Sequence, residues 1–69
     1  MSKVAIQIKV VDVPEGWMWK ELRQIIEDVQ ASTCEVKTYE FHAHGDSIVF
    51  QTKCDDLGVK YQVVHESDD

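Results

Sequence analysis

Two hydrophobic periods follow one another within the first thirty residues, and together they restrict this chain to folds that mix strand with helix. Val4, Ile6, Ile8 and Val10 recur at every second position, with Gln7 and Lys9 between them. A strand turns successive side chains to opposite faces, so this pattern predicts a half-buried strand with one apolar side. The run Asp12-Val13-Pro14-Glu15-Gly16 breaks it, because Pro14 has no N–H to give to a ladder. Asp12 followed by Glu15, with Gly16 next, reads as the start of a helix. From Met18 the period changes. Met18, Leu22, Ile25, Ile26 and Val29 fall on one stripe at 3.6 residues per turn, and Lys20, Glu21, Arg23, Gln24, Glu27 and Asp28 fill the other faces. Arg23 and Glu27 stand at pairing distance on that surface. Ser32 and Thr33 end the helix without a glycine cap.

Beyond Thr33 the chain reads as strands. Tyr39, Phe41 and Ala43 alternate with Glu40, His42 and His44, and Gly45-Asp46 supplies the glycine that a two-residue type II′ turn requires. Ile48, Phe50 and Thr52 would return along the other arm, with Phe41 opposite Phe50 and the apolar partners on one face. Cys34 and Val36 are out of phase with Tyr39 and Phe41, so a bulge is expected near Lys37-Thr38. Asp55-Asp56-Leu57-Gly58 reads as a turn or a single helical turn, and Val59, Tyr61 and Val63 as the last strand. The expected fold is α+β in the order β-α-β-β-β, one amphipathic helix packed on one face of a small mixed or antiparallel sheet. The first two strands would be parallel if adjacent, through a right-handed crossover, and the last three a meander. Residues 1–64 form the domain, and 65–69 a frayed acidic tail.

Composition narrows the function. A chain of 69 residues makes one domain with a small core. Its net charge is −6 and its pI near 4.8, with the Lys and Arg residues dispersed along the sequence. Affinity for DNA or RNA is built largely from clustered Lys and Arg, so direct nucleic-acid binding is not expected. No apolar run approaches the roughly 18 residues of a membrane span, and the first residues show no signal-peptide pattern. Two cysteines, Cys34 and Cys54, are too few for a secreted disulfide scaffold. They are expected to be reduced and structural, in a cytoplasmic protein.

No catalytic motif stands out. The three glycines are isolated, so there is no phosphate loop, and no serine sits in a nucleophile elbow. Glu40, His42 and His44, two apart on the expected strand, would share one face and could offer a metal three ligands, with His65 or Cys34 to close the site. The ordinary reading of that face is a solvated sheet surface, and neither a metal nor another cofactor is expected. Trp17 and Trp19 are the other feature: Trp19 lies beside Leu22 and Ile26 on the helix, whereas nothing periodic buries Trp17. Tryptophan is enriched at interface hot spots. The acidic residues, Asp55 and Asp56 among them, could let the domain imitate a phosphate track and occupy a basic groove; small phage-borne inhibitors of host defence or transcription often share this size and charge, an analogy of class that no residue motif carries.

The reading is a small acidic non-catalytic interaction module, a regulator or inhibitor that binds another protein through Trp17, Trp19, Glu40, His42, His44, Asp55 and Asp56. Self-association into a homodimer is expected through an edge strand or the outer sheet face. The alternative is a metal- or small-ligand-binding protein built on the Glu40, His42 and His44 face.

Overall fold

The structure, a computed structural model, describes residues 4–68. Met1, Ser2 and Lys3, and Asp69 of the expected tail, lie outside the described residues. The alternating segment does form a strand, β1 (Val4–Asp12), with Ile6, Ile8 and Val10 buried and Lys9 and Val11 exposed. The stripe that follows forms helix α1 (Trp17–Asp28), which buries Met18 and Leu22 and packs Trp19, Ile25 and Ile26 against the core. In place of a glycine, Gln30 ends it at φ 56°. The N–H of Gln30 donates to the Glu27 carbonyl and that of Ala31 to the Ile26 carbonyl, which satisfies the last turn as a Schellman motif does.

Next comes a tight hairpin, β2 (Ser32–Glu35) and β3 (Thr38–Phe41), with Val36 and Lys37 at its tip. This resolves the parity conflict in the sequence. The chain reverses at Lys37, which sits at φ 60°, and the irregularity in register falls between Thr33 and Glu35, at Cys34. The bulge expected near Lys37-Thr38 is therefore a turn.

The segment expected to be a second hairpin is a helix. Helix α2 (His44–Leu57) absorbs Gly45-Asp46 and the whole of the arm that was to carry Ile48, Phe50 and Thr52. It buries Ser47, Phe50 and Cys54, spaced at i, i+3 and i+7, and leaves Ile48 and Val49 more than half exposed. The buried hydroxyl of Ser47 donates to the His44 carbonyl at 2.8 Å, so the polar residue in the interface is satisfied. Gly58, at φ 77°, closes α2 with the N–H groups of Gly58 and Val59 on the Asp55 and Cys54 carbonyls. Cys54 and Val59, the pair brought together by this cap, are both buried.

The last strand, β4 (Lys60–Asp68), runs antiparallel to β1 along its length. His65–Asp68, expected to be a frayed tail, are its second half, with His65 opposite Gln7 and Ser67 opposite Ala5. The sheet order is β2-β3-β1-β4, and every neighbouring pair is antiparallel. The fold is α+β, in the order β-α-β-β-α-β, a split βαβ arrangement. No meander forms, and β1 and β2 are not adjacent. β1 and β2 run parallel with β3 between them, and β3 and β4 run parallel with β1 between them. Such connections need a crossover of about a dozen residues or more, and a helix supplies it in each case. Phe41 and Phe50 still meet, at a centroid distance of 5.0 Å, but between a strand and a helix.

Candidate functional site

The core residues of both helices converge on the sheet face carrying Ile6, Ile8, Val10 and Phe41. The opposite face carries no element among the described residues. Register places two polar rows across it: Ser32, Glu40, Gln7 and His65 in one, Glu35, Thr38, Lys9 and Gln62 in the other. The amide of Gln7 donates to Glu40 Oε1 at 3.1 Å. His42, just past the end of β3, has Nδ1 4.0 Å from Glu40 Oε2 and Nε2 3.3 Å from the Ser32 hydroxyl. Thr38 is 5% exposed, its hydroxyl bonded to the Val36 carbonyl. Extra residues in the β1–β4 ladder, Val64 on one strand and Val11 on the other, are exposed.

Ser32, His42 and Glu40 stand in the sequence hydroxyl, imidazole, carboxylate that nucleophilic hydrolases use. Ser32 and His42 are within hydrogen-bonding distance, but Glu40 is not joined to the imidazole as the third member would be. A separation of 4.0 Å between His42 and Glu40 is no hydrogen bond, and Glu40 is already engaged by Gln7. The cluster lies on an open strand surface without the enclosed pocket that would exclude water from a reaction.

The residues expected to contact a partner fall in separate places. Trp17, at the first position of α1, is 54% exposed and its indole N–H donates to the Glu15 carboxylate. Trp19 is half-buried, packed on the core. Glu40 and His42 belong to the bare sheet face. His44 does not join them, because β3 stops at Phe41 and His44 is the first residue of α2. The three-ligand strand face thus does not form, and no group of three or more His, Cys, Asp or Glu side chains is placed to hold a metal among the described residues. Asp55 and Asp56 lie in the last turn of α2, where carboxylates oppose the helix dipole.

Both cysteines are free and belong to different elements. Burial pushes the Cys54 thiol up to about 11, with Asp55 adding to the effect. Cys34 is exposed, and its thiol is raised by desolvation and by the carboxylates of Glu40 and Glu35. Neither thiol is activated, since a reactive cysteine needs its pKa lowered. The Tyr61 hydroxyl is raised too, by desolvation and then by Asp55.

One gathering of charge is made by the fold. Lys20 and Arg23 of α1 and Lys37 of the hairpin tip line a single open groove of about 680 Å³, together with Gly16, Trp19, Gln24, Glu27 and Tyr39. Cations dispersed along the chain are gathered here because the β2–β3 turn comes back beside α1. The pairing of Arg23 with Glu27 expected from their spacing is not made, and neither Lys20, Arg23 nor Lys37 has an ion pair among the described residues. Neither protein-family models, nor curated proteins, nor solved structures give a significant match to this chain. No helix is long and apolar enough to cross a membrane among the described residues.

Proposed function

We propose that this protein is a non-catalytic interaction module, a regulator or inhibitor that works by binding another protein through the outer edge of β4 and the bare sheet face beside it. The observation that carries this reading is the edge itself. β4 is nine residues long and, among the described residues, pairs on one side only, with β1. The outward N–H and C=O groups of such a strand are a template for an added strand, and exposed Val63 and Val64 supply apolar contact along it. The other edge, β2, has four residues, all exposed. It offers less than half that length. The net charge of −6 favours a partner with a basic surface, including one that otherwise holds nucleic acid.

A second copy of the chain is the other candidate for the same edge, since antiparallel β4–β4 pairing would join two sheets. Two measurements separate these readings. Sedimentation equilibrium at micromolar concentration and physiological salt reports a dimer mass if copies pair through β4. Quantitative capture from the native cell extract, with wild type and Val64→Glu compared, reports a partner. A protein retained by wild type and reduced about tenfold by Val64→Glu, with an unchanged melting temperature, supports heterologous binding. A single-chain mass together with equal retention by both proteins excludes the β4 edge.

A further inference from the structure

The groove between α1 and the β2–β3 turn has the properties of a ligand site that differs in sign from the rest of the molecule. Three of the Lys and Arg side chains line it in a chain where acids outnumber bases by thirteen to seven. Of the other cations, Lys53 is drawn to Glu21 at 3.8 Å, whereas those in the groove have no such partner among the described residues. Lys37 reaches it from a backbone position at φ 60°, where glycine or asparagine is the easier residue. The turn is nonetheless held, because the N–H of Val10 in β1 donates to the Lys37 carbonyl at 2.8 Å. A cation is thus mounted on a fixed, strained turn, a kind of outlier that is concentrated at ligand sites.

The rest of the lining is aromatic and anchored. Trp19 and Tyr39 are half-buried and pack on the core, and the Tyr39 ring lies 6.3 Å from that of Phe50. Both rings therefore present fixed surfaces. The volume of about 680 Å³ falls within the roughly 300–1,000 Å³ of small-molecule sites.

We propose that this groove binds a small anion with a phosphate monoester on a flat ring body, the chemistry of a nucleoside monophosphate. Three cations set against the one carboxylate of Glu27 leave an excess of two positive charges, which matches the charge of −1.5 to −2, approximately, of a phosphate monoester at neutral pH. The Arg23 guanidinium offers the planar fork that takes phosphate oxygens in pairs, and the lysines act as point charges around it. Trp19 and Tyr39 then accept the ring. A nucleic-acid polymer is disfavoured at the same place. Its neighbouring phosphates would run over a surface whose net charge repels them, while a single phosphate needs only the three cations of the groove.

The test uses Trp17→Phe protein, so that Trp19 is the sole tryptophan, and follows its fluorescence on titration with adenosine and guanosine monophosphate, the free nucleosides, and inorganic phosphate. Saturable quenching by a nucleotide, at least about tenfold tighter than by either its nucleoside or phosphate alone, is expected. Arg23→Gln and Lys37→Gly should each weaken it by about tenfold, whereas Lys60→Gln, away from the groove, should leave it unchanged. Lys37→Gly suits the backbone at that position, and an unchanged circular dichroism spectrum separates lost binding from lost fold. Absence of saturable quenching, equal affinity for phosphate and nucleotide, or equal weakening by Lys60→Gln would each overturn the proposal.

Discussion

Helices α1 and α2 do the same structural work and read quite differently in sequence. Each crosses over an intervening strand, and each is closed by a Schellman cap. α1 carries its apolar residues on one stripe, so its period is plain. In α2 the stripe is disguised: Ser47 stands at a buried position, while Ile48 and Val49 face solvent. The same segment alternates well enough to pass for a strand, and the glycine of Gly45-Asp46 completes the illusion. The difference teaches that the period of a hydrophobic pattern identifies a helix only when most of its apolar residues are buried. In α2 Phe50 and Cys54 are the buried apolar side chains, with Leu57 partly buried and packed on the core, while Ile48 and Val49 stay outside the stripe.

The largest expected effects test that division. Phe50→Ala and Leu22→Ala remove fully buried side chains from α2 and α1, and each should cost about 3–5 kcal/mol in denaturant unfolding, enough to threaten a domain this small. Ile48→Ser and Val49→Ser should each stay within about 0.5 kcal/mol, because those residues face water. A loss above about 1 kcal/mol from either would mean that α2 is rotated or that the segment folds as the strand its alternation suggests.

An intermediate effect comes from pH. The Cys54 thiol is held up to about 11, against an ordinary value of 9.0, by burial in α2. Between those values the unfolded chain releases this proton and the folded one keeps it. Stability is therefore complete below pH 9 and falls as pH rises towards 11, by on the order of 2 kcal/mol. Tyr61, raised in the same sense, adds to the loss at the top of that range. Cys54→Ala should flatten the alkaline limb of the stability profile, and Cys34→Ala should alter it far less. Thiol-reagent labelling of the native protein should mark Cys34 and spare Cys54, since only Cys34 is exposed.

The smallest effects compare the two caps. Gly58 ends α2 at φ 77°, so Gly58→Ala should destabilise by about 1 kcal/mol. Gln30 ends α1 at φ 56° without glycine, and Gln30→Gly should be neutral or stabilise by up to about 0.5 kcal/mol, the relief of backbone strain being partly offset by greater freedom in the unfolded chain. Thermal melts of the two variants, moving in opposite directions or with only the first moving, check this. Equal destabilisation would show that the left-handed caps are not what closes the helices.

The candidate sites were legible in proportion to how local they are. The exposure of Trp17 follows from its place before the stripe, and the half-burial of Trp19 from its place beside Leu22. Glu40 and His42 are close because they are near in sequence. Ser32 and Gln7 complete their cluster only through strand pairing, which joins residues ten and thirty-three positions apart. The grouping of Glu40, His42 and His44 failed because it assumed that a strand continued through Ala43. Of the groove's cations, Lys20 and Arg23 share a helix face that their spacing shows, but nothing in the sequence brings Lys37 to them, since a cation on a helix and one on a turn share no pattern.

By itself the sequence determined the class of fold, the first strand, the first helix, the faces that both bury, and the acidic charge. Each of these rests on interactions within a few residues, and a period of two or 3.6 records them directly. Tertiary structure alone decided that β1 lies between β3 and β4, that the second crossover is a helix, and that His65–Asp68 are a strand. A segment whose own pattern is ambiguous takes the form that closes the sheet and fills the space over Phe41, and that space exists only once the other elements are in place.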